Sequence, residues 1–459
     1  MTTLATPVTG RSSRVRVAIV GGGITGVMLA MALQKRGVDF VLYERAAGFG
    51  EIGAGIGFSP NAERALGLVD PAAHAAYWAV AAPGPEAEYF RWVDGRGSDA
   101  VVASLLIGVA RFQGGRRCDF LDAWARLVDP RRVAFRRELV SLERQAGGGV
   151  SLGFADGSRE DADIVIGCDG IRSRVRQLIL GEANPASHPR YTHKYCFRTL
   201  VPMDRARAAL GAERTSTRFM YNGPDAHCVT YPVARGAFLN VLLVISDAEP
   251  WGGRESGAQA ATMTAVGRKD EAVRAFAAWH PRVRALVDLL PDDEPLQKWA
   301  LFDMYENPAP RYHDGEGEGE GEGAWAVAAV AGDAAHAAGP HLGAGAGMGV
   351  EDALVLATVL AAVDARLADP AAHKARLCGA ALAAYDALRR ERTQWLVGAT
   401  REVGALFQWQ DPGGAVRGGA GDADAFLREV GDRFHRIWDY DVEAMVEEAR
   451  GEFERRVAG

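Results

Sequence analysis

Cysteine is scarce: five residues (Cys118, Cys168, Cys196, Cys228 and Cys378) lie far apart in 459 positions. An odd, scattered set gives neither a disulfide frame nor metal-ligand spacing, and it fits thiols kept reduced in the cytoplasm. No stretch reaches about 18 uninterrupted apolar residues, so no membrane span is expected. Residues 324–338 come nearest, and Asp333 and His336 interrupt them. Positive charge is not in excess. Lys and Arg number 52 against 59 Asp and Glu, a net charge of −7. That balance argues against a nucleic-acid or anionic-membrane partner. The first 14 residues are small and polar with no apolar core, so they read as a disordered lead and not a signal peptide. No long internal repeat is evident. What remains is 48% apolar and 24% charged, an ordinary globular composition. The length suggests roughly two to three domains.

The chain is organised around residues 15–44, VRVAIVGGGITGVMLAMALQKRGVDFVLYE. A β-branched strand (Val15–Val20) leads into Gly21, Gly23 and Gly26 in G-x-G-x-x-G spacing. An apolar helix follows, Gly37 ends it, and Phe40–Tyr43 forms a second strand closed by Glu44. Gly21 allows the tight turn, Gly23 lets a pyrophosphate approach the backbone, and Gly26 lets helix and strand pack closely. The phosphates then sit at the helix N-terminus, where free N–H groups and the dipole favour anions. Glu44 can accept hydrogen bonds from an adenosine ribose. The motif by itself does not separate FAD from NAD.

Further along, residues 86–106 read as strands outside the first sheet. Residues 114–128 read as a loop entering a helix, with short strands at 133–135, 139–144 and 150–156. A buried strand (Ile164–Ile166) runs into Asp169-Gly170 and a helix with Arg172, Arg174 and Arg176. Residues 191–246 are aromatic and β-branched, as in YCFRTLVPM, STRFMYN, HCVTYPV and FLNVLLVIS, and predict an antiparallel sheet. Residues 257–289 read as helix. GEGEGEGEG at 315–323 reads as a flexible surface loop. WAVAAVAGD (325–333) is a buried strand, followed by glycines and a helix beginning near Gly349. Residues 376–410 and 422–456 read as helices joined by glycine-rich 413–421.

Three segments share one logic: apolar strand, acidic or glycine turn, helix. They are GGGITG, CDGIRSRVR and AGDAAHAAGPHLGAGAGMGVEDALVLA. Asp333 closes its strand where a carboxylate can hold a ribityl chain. The run from Gly343 to Gly347 has almost no side chains, so a flat ring can lie against it near a helix N-terminus. In this order the motifs resemble the FAD-dependent aromatic hydroxylases, single-component flavoprotein monooxygenases, over about residues 14–450. EIGAGIGFSPNA, KWALFD, RRERTQWLVGATREVG and RIWDYDVEAMVEEA are similar to the fungal salicylate-hydroxylase-like branch, which includes dearomatising polyketide phenol hydroxylases.

The resemblance implies a Rossmann-like α/β FAD-binding domain (15–82, 110–187 and 300–375). It also implies a discontinuous antiparallel-sheet substrate domain (83–109 and 188–299) and a C-terminal helical region (376–459). FAD contacts fall on Gly21, Gly23, Gly26, Glu44, Gly57, Arg117, Asp333 and Ala346. Asp169 is linked to both the FAD pyrophosphate and a transiently bound NAD(P)H. Arg198 in FRTLVPM and Tyr231 in HCVTYPV are the catalytic candidates. A guanidinium beside a phenol favours bound phenolate, and a tyrosine hydroxyl fixes which carbon faces the flavin. The implied reaction is NAD(P)H- and O₂-dependent hydroxylation of a small phenol through a flavin C4a-hydroperoxide, with dearomatisation where the attacked carbon carries an alkyl group. The product fits secondary metabolism, and the enzyme is expected as monomer or homodimer. Two alternatives stay open: decarboxylative hydroxylation of the salicylate type, and a flavin-binding protein that does not hydroxylate. His227 either faces the pocket or is structural. His336 and His341 belong with the flavin's glycines, so no metal is expected.

Overall fold

A computed structural model describes residues 14–50, 55–81, 87–109, 112–145, 148–252, 262–292, 296–315, 325–369, 372–410 and 423–458. The lead at 1–13, the Gly-Glu run from 316 and the glycine-rich 413–421 lie outside those residues.

The first sheet has five parallel strands in the order Ala328–Val330, Ile164–Gly167, Arg16–Val20, Asp39–Glu44, Val133–Phe135. Its central strands are nearly continuous apolar runs because both faces are covered. Val17 is 2% exposed and Ile19 and Ile164 are fully buried. Helix Ile24–Arg36 covers one face and ends at Gly37, whose φ of +72° suits a residue without Cβ. Helix Gly345–Arg366 packs on that helix and on Lys374–Phe407.

Helix Gly345–Arg366 departs from the sequence reading in two ways. It begins at Gly345, so the last glycines of the run form its first turn and not a loop. Packing overrides their poor helix propensity: a Cβ on Gly347 would lie 2.9 Å from the Ala62 methyl. It is also the one helix among the described residues long and apolar enough to cross a membrane, and 83% of that apolar window is buried inside the protein. This is a core helix.

The second sheet has eight strands: Thr264–Gly267, Leu296–Asp303, Arg190–Pro202, Phe238–Ser246, Ala226–Val233, Arg218–Gly223, Ala87–Asp94 and Val101–Val109. Neighbours are antiparallel except at one joint, where Arg218–Gly223 lies parallel to Ala87–Asp94. The hairpin 87–109 comes from a distant stretch of chain, so no turn fixes its sense against the strand it meets.

Two helix assignments change. Thr264–Gly267, expected as helix, is an edge strand, and the helices start only at Lys269 and Pro281. Four β-branched and small residues are too few for periodicity to reveal. The helix expected over 422–456 is two, Ala423–Trp438 and Val442–Ala458. The break carries its own cap, since the Asp441 carboxylate accepts from the Ala444 N–H at 2.8 Å.

Candidate active site

One cavity of about 1280 Å³ is lined by residues from both large sheets. Gly21, Gly23, Glu44, Gly57, Arg117, Asp169, Arg198, Tyr231, Asp333 and Ala346 all line it. Gly26 is not among the lining residues. It lies beneath, where a Cβ would sit 1.9 Å from the Gly21 carbonyl oxygen. That close helix–strand approach is the packing role its place in the glycine spacing implies.

At the dinucleotide end, Gly21 has φ +106°, and a Cβ there would meet the Cys168 carbonyl at 2.5 Å. Nothing lies within 4 Å of a Cβ built on Gly23, so this face of the turn is open. The Glu44 carboxylate accepts from the backbone N–H of Gly22 and of Ala46, both at 2.7 Å. Each oxygen keeps a further lone pair, which leaves room for a ribose hydroxyl.

Asp169 lines the cavity, but its carboxylate serves the next helix. It accepts from Ser173 Oγ and from the N–H groups of Arg174 (2.7 Å) and Val175 (3.1 Å). Burial pushes its pKa up, while these bonds pull the other way. Arg172 precedes that helix, Arg174 opens it, and Arg176 is fully buried. Arg176 donates to the carbonyls of Ala186, Ala334, Ala335 and Asn307 at 2.5–3.1 Å. It therefore fastens the turn that carries Asp333, a role its place in an arginine-rich motif does not reveal.

Asp333 starts the short helix Asp333–His336 and is exposed towards the cavity. Its support is a buried charge lattice. Asp352 accepts from the Gly332 N–H (2.9 Å), His336 Nε2 (2.6 Å) and Arg389 Nε (2.8 Å). Arg389 also pairs with Glu351 at 2.7 Å, and Glu351 accepts from Arg392 and Asn61. Burial alone would raise both carboxyl pKa values, but the cations hold them below the ordinary range: His336 and Arg389 for Asp352, Arg389 and Arg392 for Glu351.

At the other end, one face of the eight-stranded sheet forms the wall. Arg198 stands opposite Leu242, and Tyr231 opposite Asn240 two residues along the same strand. Directly paired residues share a face, so Arg198 and Tyr231 look into one space. The Arg198 guanidinium lies 3.8 Å from the Trp299 ring centroid. Burial pushes the Tyr231 phenol up to about 12, with Arg218 and Arg198 pulling it down. It is a hydrogen-bond donor at neutral pH.

The sequence reading passed over Arg218, Asn240 and Trp299 and gave His341 only to the flavin's glycines; all four line the cavity. Arg218 pairs with Glu88 at 2.9 Å and is buried. Strand alternation in STRFMYN would have placed it on the inner face with Met220. His227, read either way, lines the cavity 5.1 Å from the His341 ring.

Residues 14–61 match the family model described as FAD binding domain. A FAD-dependent monooxygenase of Aspergillus niger, orf3, is 46% identical over 97% of this chain and 98% of its own. The FAD-dependent monooxygenase pigN of Monascus ruber is 47% identical, over 98% and 99%. A salicylate hydroxylase of Sarocladium schorii, asL1, is 40% identical, over 96% and 92%. Among solved structures, a salicylate hydroxylase substrate complex matches with TM-score 0.77 and 28% identity, over 96% of this chain and 98% of that one.

Proposed function

The chain belongs to the FAD-dependent monooxygenases of the salicylate-hydroxylase-like, aromatic-hydroxylase type, and on that premise we propose that it hydroxylates a small phenol held as phenolate between Arg198 and Tyr231. The observation that carries this reading is their common face in one cavity with the glycine turn and Asp333. We assign FAD to the parallel-sheet body (15–82, 110–187 and 300–375) and substrate to the second sheet (83–109 and 188–299, continued by strand Leu296–Asp303).

The residues present fit FAD. An open glycine turn at a helix N-terminus suits the pyrophosphate, Glu44 the ribose, and the exposed Asp333 carboxylate the ribityl chain, and Arg117 and the helix turn at Ala346 would hold the ring. Bound FAD, reduced by NAD(P)H, supplies the electrophilic oxygen from O₂. Everything else falls to the chain. Arg198 stabilises the phenolate, which raises electron density at the ortho carbon. Tyr231 donates to the same oxygen and sets which carbon is presented. Where that carbon bears an alkyl group, the ring is left dearomatised. Scattered free thiols, four of the five buried, fit a cytoplasmic enzyme.

Likeness to proteins named salicylate hydroxylase favours a second reading, decarboxylative hydroxylation. A carboxylate substituent wants a second cation, and the charge of Arg218 is already met by Glu88. That favours a phenol without the carboxylate.

The test is product mass and NAD(P)H consumption with 2,4-dihydroxy-3-methylbenzaldehyde and, separately, salicylate. One added oxygen on the aldehyde with loss of aromatic absorbance supports the proposal. Catechol from salicylate moves the protein to the second reading. For Arg198→Ala the expectation is a loss of hydroxylation on the order of 10²-fold with flavin retained. Unchanged turnover in that variant refutes the phenolate anchor.

A further inference from the structure

Two histidines stand in the cavity wall with no hydrogen bond to any described residue. His227 is 1% exposed and His341 8% exposed, and the Nδ1 atoms of both are sealed and unpartnered. Their rings meet edge to face at 5.1 Å, and His227 packs in the same manner on Phe407 at 5.7 Å. His227 shares the inner sheet face with Val229 and Tyr231 by strand alternation. The seat of His341 is built by absence of side chains. Cβ atoms at Gly404 and Gly339 would come within 2.6 and 3.1 Å of its Cδ2. Gly404 lies inside helix Lys374–Phe407, where glycine costs about 1 kcal/mol against alanine. The chain tolerates that cost where the ring needs the room.

We infer that His227 and His341 form a hydrogen-bonding subsite for a second oxygen substituent on the substrate ring, a carbonyl, remote from the phenolate oxygen held by Arg198 and Tyr231. This rests on the phenol reading above. Burial, with Lys194 and Arg401 nearby, lowers the His341 pKa to about 3, and burial, His341 and Lys194 push His227 well below its ordinary value. Both rings are therefore neutral, with one N–H and one lone pair each. A buried orphan N–H is rarer than an under-satisfied acceptor. The tautomer of lower cost leaves the sealed Nδ1 as the lone pair and puts the hydrogen on Nε2. A pair of neutral N–H donors prefers an acceptor oxygen, and it offers no charge to attract a carboxylate. Phenolate at one end and carbonyl at the other fix the ring at two points, which determines the carbon presented for oxygen transfer.

The experiment measures ring binding to the oxidised holoenzyme by flavin absorbance. The pair compared is 2,4-dihydroxy-3-methylbenzaldehyde and 2-methylresorcinol, the same ring without its carbonyl. The wild type is expected to bind the aldehyde about tenfold more tightly, the scale of one good hydrogen bond. His341→Phe and His227→Phe, checked for full flavin content, are expected to lose that preference while resorcinol affinity stays within about twofold, and His341→Gln to recover part of it. During turnover, the loss is expected in KM for the aldehyde and in a mixture of product regioisomers. Equal affinity of the wild type for both rings overturns the subsite and leaves the phenol reading standing. Equal loss for both rings in the Phe variants also overturns it, in favour of a packing role. If the wild type binds neither ring, the phenol reading falls and the subsite with it.

Discussion

His336 and His341 lie five positions apart and both are buried, yet they live in opposite settings. His336 Nε2 sits 2.6 Å from the Asp352 carboxylate, inside a lattice that also holds Arg389, Glu351 and Arg392. His341 packs on the His227 ring and on Gly339 and Gly404, and the charges of Lys194 and Arg401 repel its protonated form. The first histidine joins, through Nε2, the network that fixes the turn bearing Asp333, although its own buried Nδ1 has no hydrogen-bond partner. The second leaves its polar atoms for whatever enters the cavity. Burial alone does not tell a structural histidine from a binding one; the partners do.

The sharpest way to break this contrast is at Arg389. Arg389→Met removes the one cation that Glu351 and Asp352 share, leaving Arg392 beside the first and His336 beside the second, and removing one member of a buried pair costs about 3–5 kcal/mol. Denaturant unfolding should show that loss, accompanied by reduced flavin content. A loss below about 1 kcal/mol would mean the lattice does not hold the turn.

Acid titration of stability separates the two settings next. The folded His341 titrates near 3 and the unfolded side chain near 6.5, so between those values the unfolded chain binds the extra proton. Stability is therefore full above about pH 6.5 and falls as pH drops towards 3, by about 1.4 kcal/mol per pH unit for a fully linked histidine. Asp352 and Glu351, held low, contribute stability that is present above about pH 4 and is lost only as pH falls through their depressed values. His313, also pushed down by burial, adds to the upper slope. The double variant His227→Phe/His341→Phe should flatten the curve between pH 4 and 6.5 relative to wild type, and an unchanged slope would place protons on these rings in the folded state.

The smallest effect is expected at Gly404. Gly404→Ala gains helix propensity but drives a methyl into the His341 ring, so a net loss of about 1 kcal/mol is expected in wild type. In a His341→Ala background the same change should become stabilising by a few tenths to 1 kcal/mol. The same sign in both backgrounds would show that the glycine is not there for the ring.

The dinucleotide turn was legible because its signals are local: a strand, three glycines in fixed spacing and a carboxylate at the next strand end. The motifs around Arg198 and Tyr231 singled them out, and both line the cavity. Arg218 and His341 were not legible as cavity residues, because each owes its position to partners far away in the chain, Glu88 for one and Gly404 for the other. The lattice beneath Asp333 was hidden in the same way, since Asn61, Asp352 and Arg389 meet only after three helices pack. Thr264–Gly267 escaped because an edge strand of four residues is defined by its neighbour, Leu296–Asp303.

The strand order of the parallel sheet bears on how the protein is made. Ala328–Val330 pairs with Ile164–Gly167, so the edge of that sheet stays bare until about 160 further residues have left the ribosome. At 5–20 residues per second this is roughly ten to thirty seconds of synthesis. For that interval Ile164–Gly167, four buried residues in the finished protein, has an unpaired edge. Asp333 and Gly345 emerge just after the missing strand. The nascent chain therefore completes its first sheet and its cofactor cradle in nearly the same moment, and FAD supplied late in translation would stabilise a junction left unfinished over those roughly 160 residues.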